Sequence, residues 1–240
     1  VFAQVFGPFL PLRAADQIHT DAAYNDVNVR LIGTHSGVTS GGGPTHNVVA
    51  DLALYRAIPN LTICVPADAG QCRKIIRASL TYQGPMIIRI SRGGEPDVYA
   101  NNDYDFEIGK AITVRDGNDL TLIGCGPSVY WSLMASKELE KRGIHARVVD
   151  MHTIKPFDAE MVIKCAKETG AIVTVEDHSI NGGLGGAVAE VLAEANLPCK
   201  FKRAGLPDRF AVLGSPEEVY KYYHLDAPGI ADTAQALQGK

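Results

Sequence analysis

Two histidines lie in a glycine-rich segment directly after an apolar run. His35 stands within residues 33–37 (GTHSG), and His46 ends residues 41–46 (GGGPTH). Imidazole groups titrate near neutral pH, and they can move protons or donate hydrogen bonds to a reacting oxygen. Glycine lets a ligand approach the main chain closely. The segment therefore indicates a ligand site with proton-transfer chemistry, while a surface loop with two incidental histidines is the alternative on these residues alone.

An arginine and a group of phenylalanines add further candidate binding residues. Arg92 follows the apolar run 85–90, where its planar fork of donors could hold a phosphate or a carboxylate. A surface arginine without a ligand is the alternative. Phe2, Phe6 and Phe9 cluster ahead of the first predicted helix. Such rings either belong to a core or form a stacking platform for a flat ligand ring.

Two more glycine-rich turns follow predicted strands. Residues 124–128 (GCGPS) imitate a phosphate-binding turn, but Val129 stands where G-x-G-x-x-G has its third glycine, so a tight structural turn is predicted. Residues 182–186 (GGLGG) favour close packing of a helix over an anion site at its N-terminus. Residues 176–178 (EDH) place ionisable groups at a strand end, as in either a ligand site or a salt-bridged interface.

Alternating strands and helices would position these residues. In the first half, periodicity and turn signals predict helices over 12–25, 45–57 and 69–82 and strands over 27–33, 61–65 and 85–90, with Asp68 capping the third helix and His46 near the start of the second. In the second half they predict strands over 119–124, 145–150, 171–176 and 199–203 and helices over 128–142, 158–168 and 184–195. The polar residues 93–105 indicate a linker. The pattern predicts an α/β protein of two parallel-sheet domains, over 1–100 and 107–240.

Composition limits the classes of function. The net charge is −4 and no basic run stands out, so neither nucleic acid nor a membrane surface is an expected partner. No apolar run approaches the length of a membrane span. The five cysteines include no C-x-x-C pair, which favours reduced thiols over disulfides or a zinc site, with Cys64 and Cys125 in the core. We therefore expect a cytoplasmic protein without metal ligands of its own.

The first residues carry a separate expectation. The chain begins with Val1-Phe2-Ala3-Gln4, without an initiator Met and without the basic and apolar regions of a signal peptide. We expect these apolar residues to be interior and the chain to be part of a longer protein.

Taken in order, the motifs resemble those of the transketolase family over nearly the whole chain. In the first half they are FGPF (6–9), RAADQI (13–18), GTH (33–35), GPTH (43–46), LYRAIPN (54–60), VPAD (65–68) and SR (91–92). In the second half they are FEIGKA (106–111), TIKPF (153–157) and VEDHSINGGLG (175–185). One such motif would be weak evidence, but their common order makes coincidence improbable.

The resemblance implies a role for each candidate residue. Residues 1–100 resemble a pyrimidine-binding domain without its N-terminal part, and residues 107–240 resemble the transketolase C-terminal domain. Phe6 and Phe9 would bind the pyrimidine of thiamine diphosphate. His35 and His46 would be catalytic, and Arg92, with His35, would bind the substrate phosphate.

The resemblance also implies a reaction and partners. Transketolases transfer a two-carbon ketol unit between sugar phosphates of pentose phosphate metabolism, with thiamine diphosphate as the electron sink. The cofactor would be shared with an N-terminal subunit or domain that holds the pyrophosphate and Mg²⁺ or Ca²⁺. The assembly would be a homodimer or a heterotetramer, and this chain alone would be inactive.

Three departures from the family pattern bear on these expectations. The glutamate that activates the pyrimidine lies upstream of FGPF in the family, and no residue here takes its place. The chain has no Gly-Asp-Gly with a following metal-ligand Asn. The family's Gly-Glu-Asp-Gly is replaced by the shorter Gly41-Gly42-Gly43, which removes an aspartate that contacts donor hydroxyls.

Other interpretations stay open at this point. Deoxyxylulose-phosphate synthase shares both domains, but it usually has an Asp-Arg pair where this chain has Thr34-His35. The beta chain of a 2-oxoacid decarboxylase is another alternative among enzymes. A non-catalytic dimerisation or regulatory module is the alternative of another class. The leading interpretation is the C-terminal part of a transketolase, as a natural subunit or as a truncated product.

Overall fold

A computed structural model describes residues 1–99 and 104–239, which form two five-stranded and mostly parallel sheets. The strands of the first sheet are β1 (Phe2–Phe6), β2 (Arg30–Thr34), β3 (Thr62–Cys64), β4 (Met86–Arg89) and β8 (Thr153–Lys155). Those of the second sheet are β5 (Ile112–Arg115), β6 (Leu120–Gly124), β7 (Ala146–Asp150), β9 (Ala171–Ser179) and β10 (Lys200–Leu206). The helices are α1 (Phe9–Arg13), α2 (Ala15–Gln17), α3 (Asp51–Arg56), α4 (Ala69–Ser79), α5 (Ser128–Lys141), α6 (Ala159–Thr169), α7 (Leu184–Glu194), α8 (Pro216–Tyr222) and α9 (Ala227–Gln238).

The central strands are buried on both faces because helices cover each sheet. The strand order is β1-β2-β4-β3-β8 in the first sheet and β10-β9-β6-β7-β5 in the second. Strands β4, β6 and β7 are buried along their whole length, as parallel strands of a covered sheet are. Only β5 and β8, each at an edge of its sheet, pair antiparallel with their neighbours among the described strands. The predicted α/β class with two parallel sheets is confirmed.

Strand β8 connects the two halves of the sequence. It follows β7 of the second sheet along the chain but pairs with β3 of the first. The sequence pattern did not predict it, nor β1 and β5. The division into domains at 1–100 and 107–240 stays a prediction, and residues 100–103 of the expected linker lie outside the described residues.

Several local predictions hold. Asp68 caps α4, because its carboxylate accepts a hydrogen bond from the Gln71 N–H at 2.7 Å. Cys64 and Cys125 are fully buried in apolar clusters. Gly126 has a φ of +57° in the turn after β6, which is consistent with the tight structural turn predicted there.

The expected helix over 12–25 is interrupted. Ala14 has φ −112° and ψ 15°, outside the helical region, and it separates α1 from α2. A π-helical segment, Ile18–Ala23, then continues from α2, with the Tyr24 N–H donating to the His19 carbonyl. The residues are helical as predicted, but they do not form one regular helix.

The expected helix over 45–57 begins later than predicted. Residues Gly43–Thr45 form one 3₁₀ turn, and α3 starts only at Asp51. The reason is a pair of backbone hydrogen bonds between Gly37 and Val48, of 3.0 and 3.1 Å, which holds the intervening segment out of a helix. His46 therefore ends a 3₁₀ turn and does not lie at a helix N-terminus.

The first residues are exposed, which corrects the expectation that they are interior. Residues 1–5 are all exposed, with Phe2 45% accessible. Residues 2–6 form the edge strand β1, which pairs on one side with β2. None of the described helices is long and apolar enough to cross a membrane.

Candidate active site

The candidate residues lie at one edge of the first sheet, where its parallel strands end. Phe6 is the last residue of β1 and pairs in register with Thr34, the last residue of β2. His35 follows at once, and its N–H donates to the carbonyl of Ser91 at 3.3 Å. This bond places Arg92 beside the same edge. Ligands of open α/β sheets bind at the carboxyl ends of the strands, so a ligand site is expected at this edge.

Phe6 is the centre of an aromatic cluster. The His35 ring stacks on it, with ring centroids 4.4 Å apart and an interplanar angle of 26°. The His46 ring meets it edge-on at 5.1 Å, and Phe9 lies 6.0 Å away at 44°. The guanidinium of Arg13 covers Phe9 at 4.4 Å from the ring centroid. The structure therefore brings both predicted histidines together with both predicted phenylalanines.

The backbone around His46 depends on a glycine. Gly42 lies directly beneath the imidazole, so that a Cβ at position 42 would overlap the ring. The His46 N–H donates to the Gly43 carbonyl at 2.8 Å, and Nδ1 of the ring lies 2.8 Å from the Thr45 hydroxyl. The His46 side chain is exposed. It is held by its own turn and remains accessible to solvent.

His35 is held in an uncommon backbone conformation. Its φ is +57°, which is in the left-handed region that residues other than glycine enter at some cost. Nδ1 of its ring lies 3.1 Å from the Thr34 hydroxyl. Strained residues of this kind cluster at functional sites, where the surrounding structure maintains them.

Arg92 lies outside the aromatic cluster. Its side chain is exposed and lines an open cavity of about 600 Å³, opposite Tyr130, Trp131 and Tyr220 of the second half. The structure thus places Arg92 beside the edge that carries the histidines, while its guanidinium forms no hydrogen bond with the histidine rings within the described residues.

A buried ion-pair group that sequence reasoning did not identify lies behind the histidines. Arg89, the last residue of β4, donates from Nε to Asp51 at 2.7 Å and from Nη1 to Asp177 at 2.8 Å. All three side chains are at most 2% exposed. Burial alone would lower the pKa of Arg89, but the two carboxylates raise it far above its ordinary value. The group joins the two sheets, so residues 176–178 belong to a salt-bridged interface.

The neighbouring residues of β9 are fixed equally firmly. The Glu176 carboxylate accepts hydrogen bonds from the N–H groups of Leu184 and Gly185, at 2.7 and 2.8 Å. The glycine turn before α7 therefore holds an anion, but the anion is the chain's own side chain. Burial lowers the pKa of His178, and the carboxylates of Glu176 and Asp51 outweigh this effect and raise it above its ordinary value.

The described part of the chain contains no cluster of three or more His, Cys, Asp or Glu side chains that could hold a metal ion. What the edge does offer is a flat apolar ring, two imidazoles and, beside them, an exposed guanidinium. These groups can contact a planar ligand, exchange protons near neutral pH and bind an anion.

Comparison with known proteins gives matches over both halves of the chain. The family model of the transketolase pyrimidine-binding domain matches residues 1–95, and that of the transketolase C-terminal domain matches residues 109–230. One of the subunits of the apulose-4-phosphate transketolase of Phocaeicola vulgatus is 43% identical over 233 residues, which cover 96% of this chain and 74% of that protein. A putative transketolase C-terminal section of Methanocaldococcus jannaschii is also 43% identical, over 96% of this chain and 73% of that protein.

Two further matches help to define the relationship. A solved structure described as a split gene transketolase, inactive beta4 tetramer, superimposes with a TM-score of 0.88 and 38% identity, over 99% of this chain and 75% of that chain. The 1-deoxy-D-xylulose-5-phosphate synthase 1 of Geobacter sulfurreducens is 32% identical, but the match covers only 37% of that protein.

Proposed function

The chain belongs to the transketolase family and corresponds to its C-terminal part, and we propose that it supplies one half of each active site of a two-component transketolase. The complete enzyme would transfer a two-carbon ketol unit between sugar phosphates, in the pentose phosphate metabolism of the cytoplasm. The observation that carries this proposal is the cluster in which Phe6, His35 and His46 meet at the carboxyl edge of the first sheet.

The residues present suit one end of thiamine diphosphate. Phe6 and Phe9 offer apolar ring surface to an aminopyrimidine, and both are only partly buried. When bound, the cofactor supplies the electron sink for breaking and forming the carbon–carbon bond. The chain's own task is then to place His46 and His35 against substrate oxygens, where they donate hydrogen bonds and move protons.

Arg92 would bind the substrate phosphate. A guanidinium binds phosphate through parallel N–H donors, and Arg92 is exposed beside the edge that carries the histidines. Its position outside the ring cluster agrees with a role at the far end of a substrate, away from the reacting carbon.

A partner would hold the remaining part of the cofactor. We assign the pyrophosphate and its Mg²⁺ or Ca²⁺ to an N-terminal subunit, because this chain matches only the pyrimidine-binding and C-terminal domains of the family. The Phocaeicola relative is named as one subunit of a transketolase, and the solved relative is described as an inactive beta4 tetramer. By analogy we propose a heterotetramer with an N-terminal subunit and an inactive chain on its own.

Transketolase is favoured over deoxyxylulose-phosphate synthase by the extent of the matches. The first two relatives match over about three quarters of their length, whereas the Geobacter synthase matches over 37% of its length. Division of the enzyme into two chains is the simplest account of this difference.

Reconstitution tests the proposal. The chain would be assayed alone and after mixing with an N-terminal transketolase subunit, with a ketose phosphate donor, an aldose phosphate acceptor, thiamine diphosphate and Mg²⁺. We expect turnover only in the mixture, and calorimetry should detect no tight Mg²⁺-dependent cofactor binding to the chain alone. Tight binding by the single chain, or a well-formed complex without ketol transfer, would contradict the proposal.

A further inference from the structure

Three consecutive residues at the end of β9 contact the segment that carries the histidines. We call residues 35–50 the histidine loop. The carboxylate of Asp177 lies against Gly37, and the Ser179 N–H donates to the Val49 carbonyl at 2.7 Å. Between them, Nε2 of His178 accepts from the N–H of Ala53, just beyond the loop, at 3.4 Å. The second sheet therefore touches the loop near both of its ends.

The contact at Gly37 is the closest of these. Gly37 has a φ of +70°, and a Cβ at this position would overlap the Asp177 carboxylate. The same glycine forms the backbone pair with Val48 that closes the base of the loop. Any displacement of the Asp177 carboxylate would therefore shift Gly37, and with it the backbone pair that closes the histidine loop.

The ion-pair group fixes the other end of the loop. Asp51 is the first residue of α3, which begins where the loop ends. Arg89 donates to Asp51 from one side of its guanidinium and to Asp177 from the other, including the Asp177 backbone carbonyl at 3.3 Å. A single rigid guanidinium thus sets the distance between the support of Gly37 and the start of α3.

We propose that Asp177 is a positioning residue for His35 and His46. Through Gly37 and Arg89 it sets the geometry of the histidine loop, so the second sheet contributes to the reaction although it carries none of the candidate catalytic residues. This inference rests on the proposed function for its catalytic consequence, but the geometric claim can be tested without turnover.

Histidine NMR provides the geometric test. The chain has seven histidines, and the rings of His35 and His46 lie within the ring-current field of Phe6. In Asp177→Asn, which keeps the shape but removes the charge that holds Arg89, the signals of both rings should shift. The matched control is Ile172→Ala, in the same strand and fully buried. It destabilises the second sheet, but its apolar cluster includes no residue of the histidine loop, so it should leave both signals in place.

Kinetics of the reconstituted complex provide the functional test. For Asp177→Asn we expect kcat to fall by about 10- to 100-fold, since misplacement of reacting groups by about 1 Å has effects of this size. KM should stay within about threefold, because Arg92, the charged group proposed to bind the phosphate, lies outside the histidine loop. Ile172→Ala should keep the kcat of the parent.

The outcomes separate the two proposals. Unchanged histidine signals in a folded Asp177→Asn protein, or equal losses of kcat in Ile172→Ala, would overturn the positioning role. An inactive parent complex would instead contradict the proposed function, while the NMR comparison would still decide the geometric claim. If Asp177→Asn does not fold, Tyr220→Phe replaces it, because this change removes only a hydroxyl 3.5 Å from the Asp177 carboxylate. Unmoved histidine signals in that variant would also overturn the inference.

Discussion

Replacing Asp150 by asparagine should make the stability of the protein less dependent on pH. Asp150 is fully buried at the end of β7, and burial raises the pKa of its carboxyl to about 7. Hydrogen bonds from Tyr99 and Gln71, both 2.6 Å, favour the charged form but do not compensate for burial. Both hydrogen bonds are accepted by Oδ2 of Asp150, and Oδ1 of Asp150 has no hydrogen-bond partner within the described residues.

The magnitude follows from proton linkage. An unfolded chain would have the ordinary aspartate pKa of 3.8, so the folded state holds its proton more tightly. The stability that this proton provides is complete below about pH 4 and is lost as the pH rises towards 7. At about 1.4 kcal/mol per pH unit, the loss between pH 5 and pH 8 is about 3 kcal/mol. Asparagine does not titrate, so the stability of Asp150→Asn relative to that of the parent should rise by about 3 kcal/mol from pH 5 to pH 8.

Chemical denaturation at constant ionic strength and protein concentration would measure this difference at pH 5, 6, 7 and 8. The control is Asp116→Asn, which also removes one carboxyl group. The Gly117 N–H and Arg147 lower the pKa of the exposed Asp116 carboxyl, so any stability that it provides is lost only at more acidic pH. Its difference from the parent should therefore be constant from pH 5 to pH 8. A constant difference for Asp150→Asn would refute the reasoning.

The remaining predictions concern the reconstituted complex. Gly42→Ala should lower kcat, because a Cβ at position 42 would displace the His46 ring. Gly41→Ala is the control and should keep the kcat of the parent, because its Cβ would lie 3.5 Å from the nearest atom. Equal kcat values for the two variants would contradict this prediction. His46→Ala should lower turnover by about 10²- to 10⁴-fold without changing Tm; unchanged turnover, or a Tm loss that accounts for it, would make His46 structural. Arg92→Ala should raise KM by about 10- to 100-fold for phosphorylated substrates only, the effect of about 1.5–3 kcal/mol for a charge-assisted bond; equal losses with unphosphorylated substrates would exclude phosphate binding.

The central strands could be predicted because the signals for them lie within each short segment of sequence. Residues 85–90 (PMIIRI) and 120–124 (LTLIG) are largely apolar runs bounded by turn signals, and they contain the fully buried strands β4 and β6. Strand β8 could not be predicted in this way. It has three residues, and its pairing with β3 depends on contact between distant parts of the chain. The same applies to the delayed start of α3, which the backbone pair between Gly37 and Val48 determines.

In the candidate site, too, some residues could be predicted from the sequence and others could not. His35 and His46 could be identified because they follow a strand in a glycine-rich segment, where α/β proteins place their ligand sites. The ion pair of Arg89 with Asp51 and Asp177 could not be identified, because no spacing connects residues that lie 38 and 88 positions apart. A charged residue inside the apolar run 85–90 was the one available signal, since a buried charge must be paired or hydrogen-bonded.

The two sheets use their carboxyl edges in opposite ways. In the second sheet, the N–H groups at the start of α7 are already occupied by Glu176, which is fully buried. In the first sheet, the side chains of His46 and Arg92 are exposed at the corresponding edge. A dissolved substrate anion can therefore reach the first edge, whereas the second sheet has its own carboxylate where a phosphate would otherwise bind. We accordingly expect the chemistry to belong to the first sheet and its geometry to depend on the second, and the Gly42 and Asp177 variants test these two contributions separately.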